Sequence, residues 1–368
     1  MSTLPLRLPA RSPKGASALQ VHPTRRCNLA CRHCYTASGP DVDEQLPISL
    51  LRAAVDDAAA LGFGVLAVSG GEPFLYRPLP ALLAAGRGAG MVTAVTTNGM
   101  PLTSGKALDL VGLVDLVTFS LDGPPEAHAL MRGSARAFPG MVEGVAAVRD
   151  AGIPFGFLFT LTRRNVADLV WVATFAAEQG AALLQVHPLD LQGRAAVEMQ
   201  GEDPDVLELA VAQLLSRELG DGEVVVDVMT RQALLARPEV FLADSQVPDG
   251  RLGDWLPSLV VRADGLVIPC SHDVDHGFAL GCLKVAPLSE LAETWLADGG
   301  AARFAQASAR TYARVTAPGG PALTAWYPEL AATTRAWVDT PRCAPAPPPP
   351  RWLTLSSQGT RNLGRFQA

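Results

Sequence analysis

The sequence predicts an α/β protein whose core is a partial (β/α)6 TIM-like barrel. Two observations carry that prediction. From Leu19 onward, six short apolar runs alternate with longer amphipathic stretches, the order that builds a parallel sheet covered by helices. The runs are apolar at nearly every residue rather than at alternate ones, as strands buried on both faces require. Six units match an incomplete barrel, and a flat doubly wound sheet stays open as the alternative.

The apolar runs are Leu19–His22, Val65–Ser69, Val92–Thr96, Leu116–Ser120, Phe155–Leu161 and Leu183–His187. Helical periodicity falls between them at Pro47–Leu61, Leu79–Arg87, Ser104–Val111, Met141–Ala151 and Asn165–Gln179. Ser49, Ser104 and Asn165 stand where N-caps are wanted. Gly62, Gly90, Gly152 and Gly180 stand at or just past helix ends, where a left-handed residue is wanted. After Pro188 the alternation stops. Asp205–Leu219 reads as a helix and Val224–Val228 as a strand. Leu259–Arg262 and Leu266–Pro269 read as a hairpin turning on Ala263-Asp264-Gly265, followed by a helix at Pro287–Leu296. Ala344–Pro350 is a proline run that suits neither helix nor sheet. The chain therefore divides into a flexible N-terminal segment (1–17), the core barrel (18–195), a helical linker region (196–257), a small α+β segment (258–310) and a tail with the proline-rich stretch (311–368).

Composition narrows the function. With 48% hydrophobic and 18% charged residues, the chain is too apolar to be disordered. A net charge of −6 argues against a protein that holds nucleic acid through its overall field. No apolar run is long enough to span a bilayer. Met1–Gly15 carries Arg7 and Arg11 among prolines, without the apolar stretch of a secretion signal. A soluble cytoplasmic protein is expected, with neither nucleic acid nor membrane as partner.

The six cysteines are unevenly placed: Cys27, Cys31 and Cys34 crowd one loop, while Cys270, Cys282 and Cys343 lie far downstream. A disulfide framework would spread its cysteines to staple distant segments, whereas tight spacing in a reducing compartment reads as metal ligation or redox chemistry. Three thiolates spaced Cys-x3-Cys-x2-Cys directly after the first strand can hold three irons of a cubane cluster and leave the fourth open. The competing reading is a closed zinc knuckle with His22 or His33 as fourth ligand.

Four further motifs follow at the ends of successive strands: Gly70-Gly71-Glu72-Pro73, Thr96-Thr97-Asn98-Gly99, Ser120-Leu121-Asp122-Gly123 with His128 and Arg132 behind it, and Gln185–Arg194. Each alone is an ordinary turn. Together they fall at the carboxyl edge of a parallel sheet, where barrels and open sheets bind ligands. From Leu19 to Arg194 the chain resembles the radical S-adenosylmethionine (SAM) superfamily, whose cluster motif is CxxxCxxC after the first strand. His33 before the third cysteine and Tyr35 after it are usual there.

The resemblance implies a [4Fe-4S] cluster on Cys27, Cys31 and Cys34, with SAM chelated to the open iron. One electron from a flavodoxin or ferredoxin type donor would split SAM to methionine and a 5′-deoxyadenosyl radical, which takes hydrogen from an unactivated C–H bond. It implies a SAM site drawn from His33, Tyr35, Gly70, Gly71, Glu72, Pro73, Thr97, Asn98, Ser120, Asp122, Arg132 and Gln185. Arg132 reads equally as a rim salt bridge, and Glu72 as structural. Arg25, Arg26 and Arg32 flank the thiols and could tune the cluster, although solvated surface arginines are the plainer reading for at least two of them.

Leu259–Cys270 and Leu288–Trp295 resemble a SPASM or twitch extension, which carries auxiliary clusters in many radical SAM peptide maturases. The later cysteine-rich run of that pattern is missing, and Ala286 stands where a second cysteine belongs. The expectation is a degenerate SPASM/twitch-like segment without a complete auxiliary cluster. Cys282 is then a candidate hydrogen donor to a substrate radical, against the commoner fate of a small buried hydrophobe. His272-x3-His276 beside Cys270 has metal-like spacing, while Asp273 and Asp275 suit a polar loop. The first substrate expectation is a ribosomally made peptide. Only about eighteen residues precede the first strand, so a separate leader-peptide-binding protein is expected, or recognition by Pro188–Pro257. A small molecule (a tetrapyrrole as in haem d1 biosynthesis, a sugar or a nucleoside) is the alternative, and a non-catalytic iron–sulfur or zinc protein the third.

Overall fold

The computed structural model describes residues 17–219 and 224–337. Most of the N-terminal segment, Cys343 and the proline run lie outside the described residues.

The core runs β1 (Ala18–Val21), α1 (Ile48–Ala60), β2 (Val65–Val68), α2 (Leu79–Gly88), β3 (Val92–Thr97), α3 (Ser104–Leu108), β4 (Leu116–Ser120), α4 (Pro125–Arg132), α5 (Ala137–Asp150), β5 (Phe155–Leu161), α6 (Leu169–Gln179) and β6 (Leu184–Pro188). β1 to β6 are parallel neighbours in chain order. This is the partial barrel expected, and α4 is an addition. Its eight residues follow the Asp122 turn directly, and Pro124 and Pro125 open it. Prolines at the start cost a helix nothing, because the first N–H groups have no intrahelical partner.

The glycine stops hold: Gly62, Gly90, Gly152 and Gly180 all have positive φ. The caps do not. α1 starts at Ile48 behind Pro47, with no side-chain cap, and Thr103 rather than Ser104 caps α3. Asn165 turns inward instead, accepting from Thr162 N at 2.7 Å and donating to Thr160 O at 2.9 Å. It brackets the exit of β5, the local competition that keeps Asn out of helix interiors.

Beyond β6 come α7 (Ala195–Glu198), α8 (Val206–Leu219), β7 (Val224–Val226), β8 (Met229–Thr230), α9 (Arg231–Ala236), α10 (Leu252–Trp255), β9 (Ser258–Val261), β10 (Leu266–Pro269), β11 (Gly281–Cys282), α11 (Leu288–Ala297), α12 (Gly300–Thr316), β12 (Leu323–Thr324) and α13 (Trp326–Arg335). The strand expected at Val224–Val228 forms as β7 and extends the sheet beside β6. The α+β segment is not detached: β9 lies parallel to β1 in register Ala18↔Ser258 to Val21↔Val261. The hairpin forms as read, β10 antiparallel to β9. Among the described residues the sheet has ten strands, ordered β11-β10-β9-β1-β2-β3-β4-β5-β6-β7. The boundary at 310 is corrected as well. It falls inside α12, and α13 carries helix to Arg335; small residues such as Ala305, Ala307 and Ser308 are buried along α12, so its packing face carried little apolar signal.

The interior is held by Phe119, Phe157 and Phe159, all fully buried, with Phe119 and Phe157 ring centroids 6.2 Å apart. Each such ring contributes about 1.5–3 kcal/mol by leaving water. Their strands fix the carboxyl edge on which the site is built.

Candidate active site

The loop from His22 to Leu46 is pinned before it presents any thiol. Thr24 bridges to Gln45 and Arg26 to Gly39. Arg25 sits inside the loop and donates to Thr36 O (3.1 Å), Ala37 O (3.3 Å) and Glu44 Oε2 (3.1 Å). Arg26 and Arg32 instead make loose surface pairs with Asp43 and Glu198. Cys27 and Cys31 are buried and Cys34 is half-buried, all as free thiols. Each sulfur faces at least one polar group: Asn98 Nδ2 at 3.8 Å from Cys27, Arg132 Nη1 at 3.9 Å from Cys31, and both Ser38 N at 3.3 Å and Thr36 Oγ1 at 3.4 Å from Cys34. Donors of this kind tune thiolates that hold iron. Burial pushes the Cys27 thiol up to about 12 and raises Cys31, so these protons leave when a metal takes their place.

The Gly70-Gly71-Glu72-Pro73 turn serves this loop. A Cβ on Gly70 would come 2.8 Å from His22 Cβ, and one on Gly71 would come 2.3 Å from Arg26 O. Gly71 N donates to Thr24 O (2.8 Å) and Glu72 N to Arg26 O (2.9 Å). The close approach these glycines allow is therefore made, on this face, to the stem of the cysteine loop. Glu72 is fully buried and accepts from Thr97 Oγ1 (2.8 Å), Asn98 N (2.9 Å) and Phe74 N (3.1 Å). Both carboxylate oxygens are taken, so Glu72 and Thr97 brace β3 against the turn that Pro73 begins. Asn98 is tied to Asn28 Oδ1 at 2.8 Å and to Met100 N.

The end of β4 is different. Asp122, buried beyond Ser120, receives Arg132 Nε at 2.6 Å, with His33 Nε2 3.9 Å away. Burial alone would raise its pKa; Arg132, His33 and His128 override burial and hold it at about 2. Burial keeps His33 and His128 neutral, each at about 4. Arg132 is thus a buried link between Asp122 and the Cys31 sulfur rather than a rim salt bridge. Asp122 Oδ1 and His33 Nδ1 are sealed from solvent without a hydrogen-bond partner.

Tyr35 faces the other way, its hydroxyl 3.3 Å from His22 Nε2 and its ring 4.1 Å from the His272 ring. Gln185 turns from this centre and donates to Asp227 after β7. Arg194 closes the Gln185–Arg194 motif singled out in the sequence, but its role as a clasp on the cysteine loop escaped sequence reading. Arg194 donates to Cys31 O (2.6 Å) and Ser38 O (2.7 Å), and its backbone N–H to Cys34 O (2.9 Å). Gly193, at φ +54°, lies where a Cβ would be 2.3 Å from Tyr35 O. Gly-Arg after a strand was the only signal.

The C-terminal candidates do not converge on the thiols. Cys282 is on edge strand β11, three strands from β1, its Sγ 3.8 Å from Asp264 O. It pairs with Leu266, and Cys270 follows four residues along, about 13 Å at strand rise, so the two do not share one site. His276 bonds Arg262 at 2.7 Å, whereas His272 faces Asp190 and Asp273; the His272-x3-His276 metal reading is corrected accordingly. A cavity of about 370 Å³ opens here, walled by His22, Tyr35, Gln192, Arg262, His272 and Asp273. His22, Gln192 and Arg262 follow β1, β6 and β9, which places the cavity at the carboxyl edge.

Three free thiols with a donor on each suit an iron–sulfur cluster. The two orphaned polar atoms at Asp122 and His33 suit a ligand rich in N–H and O–H groups, and SAM carries an ammonium and ribose hydroxyls. Comparison with known proteins agrees. Residues 21–176 match the family model of the Radical SAM superfamily. The Fe-coproporphyrin III synthase of Methanosarcina barkeri is 35% identical over 183 residues, 49% of this chain and 45% of the relative. The PqqA peptide cyclase of Ruegeria pomeroyi is 30% identical over 266 residues, 69% of this chain and 67% of the relative. The chain spans about half the length of the first curated relatives it matches. The structure of anSMEcpe with bound AdoMet and a Kp18Cys peptide superposes with a TM-score of 0.57 at 19% identity, covering 79% of this chain and 83% of that one. The chain belongs to the radical SAM superfamily and is an enzyme with a [4Fe-4S] cluster and SAM as cofactors.

Proposed function

We propose that this radical SAM enzyme modifies a ribosomally made peptide. The observation that carries the reading is the reach of the match to the PqqA peptide cyclase: 266 residues, further than the core, against 183 for the Fe-coproporphyrin III synthase. The bound cluster and SAM supply a 5′-deoxyadenosyl radical. The chain's own part is to hold Cys27, Cys31 and Cys34, to orient SAM with Asp122, Arg132 and His33, and to keep the reacting carbon away from water at the carboxyl edge. Residues 18–195 form the core of this reading. The hairpin β9–β10 with α11 is its cut-down SPASM/twitch-like extension, placed against β1 where substrate would enter. A flavodoxin or ferredoxin type donor and a separate leader-binding protein complete it.

A tetrapyrrole carboxylic acid is the second reading, favoured by the higher identity to the Fe-coproporphyrin III synthase, 35% against 30%. Reconstituted enzyme given SAM and dithionite distinguishes them. Faster formation of 5′-deoxyadenosine with members of a synthetic peptide library, and a mass change in the peptide, supports the first. Stimulation by a tetrapyrrole carboxylic acid alone overturns it.

A further inference from the structure

We propose that Asp190, His272 and Asp273 form a mononuclear divalent-cation site, of the Mn2+, Fe2+ or Zn2+ class, opening on the cavity beside the cysteine loop. The donors come from two distant segments, the exit of β6 and the loop after β10, and their ligand atoms all lie within 4.8 Å of one another. His272 Nε2 is 3.0 Å from Asp273 Oδ1 and 3.5 Å from Asp190 Oδ2. Around one ion with bonds near 2.1 Å, neighbouring ligands stand about 3.0 Å apart at a right angle and about 3.4 Å apart at the tetrahedral angle. The observed separations are those of co-ligands.

A second observation points the same way. His272 Nε2 is sealed from solvent yet has no hydrogen-bond partner, although two carboxylates face it. That nitrogen is directed into the cluster, toward the two carboxylates. The Tyr35 ring, 4.1 Å off, fixes the imidazole plane, and Ser271 Oγ orients Asp273 at 3.1 Å. These are the supports that metal ligands usually have. Without a cation the two carboxyls share a proton: burial and Asp273 push Asp190 up to about 9, while His272 with Asp190 and Ser271 overcomes the effect of burial and holds Asp273 at about 2. One imidazole and two carboxylates suit borderline first-row ions better than the softer ones that thiolates select. Three protein ligands leave positions toward the cavity, where a carboxylate or hydroxyl of a substrate could bind. The site is separate from the three thiols and independent of the peptide reading.

The test is Mn2+ binding to anaerobically reconstituted holoenzyme, followed by loss of the free-ion electron paramagnetic resonance signal. Mn2+ is chosen because cysteine sites hold it poorly. Wild type is expected to take up one ion per chain. Asp190→Asn and His272→Gln are each expected to weaken binding at least about 10-fold while keeping the visible absorption of the cluster. A Cys27→Ala/Cys31→Ala/Cys34→Ala variant is expected to retain it. Wild type that leaves the free-ion signal unchanged overturns the proposal, as does equal binding by both ligand variants.

Discussion

Gly193→Ala isolates the clasp between the exit of β6 and the cysteine loop. Two costs are separable. The first is conformational, because Gly193 has φ +54° and a left-handed alanine costs about 1–2 kcal/mol. The second is steric. The new methyl would sit 2.3 Å from Tyr35 O and 2.6 Å from Cys34 O, both backbone atoms, so either this segment or the thiol-bearing strand of the loop must move. Overpacking of that kind costs typically 1–3 kcal/mol. Gly180→Ala is the matched control. Its φ is +79° and its Cβ would meet nothing within 4 Å, so it carries the first cost alone. Urea unfolding is expected to show Gly193→Ala less stable than Gly180→Ala by about 1–3 kcal/mol. Iron uptake on reconstitution should fall in the first variant only, because Arg194 N–H and the Cys34 carbonyl separate. Equal stability and full iron in both would refute the clasp.

Three other outcomes follow from the same geometry. Arg132→Met strands the buried Asp122 carboxylate and should cost about 3–5 kcal/mol; adding Asp122→Leu should recover much of it, and a double variant no better than the single would contradict the buried pair. His22, His33 and His128 are lowered by burial from 6.5 to about 3, 4 and 4. The unfolded chain binds these protons first, so the stability they contribute is complete above pH 6.5 and lost as pH falls toward 4, by up to about 4 kcal/mol per pH unit. A urea midpoint that stays flat from pH 6.5 to 5 would exclude this. Glu72→Gln leaves the Asn98 or Phe74 amide facing a donor and should cost about 1–3 kcal/mol with SAM affinity unchanged; a fall in affinity at wild-type stability would make Glu72 a ligand.

What could be read ahead of the structure follows from signal range. The six core strands were legible as short runs rich in apolar residues, such as Phe155–Leu161, although burial alternates along β1, β2 and β3. The helix stops were legible because Gly62 and Gly180 answer a backbone demand few other residues meet. The caps were not, since Asn165 had a stronger local alternative in bracketing Thr160 and Thr162. The cysteine loop announced its thiols by spacing, but not what holds them. Gly71 read as a turn glycine and Gly193 drew no reading, and only the fold shows that each yields to the backbone of the same loop. Asp190 and His272 lie 82 positions apart, beyond any local pattern. α12 was missed because most of its buried face is made of small residues, such as Ala301, Ala305, Ala307 and Ser308.

The most direct test of the central claim is the metal content and reactivity of anaerobically reconstituted protein. About four irons and four sulfides per chain, with 5′-deoxyadenosine formed from SAM on adding dithionite, is the predicted result. Colourless protein holding a single zinc on Cys27, Cys31 and Cys34, and leaving SAM intact, would contradict it.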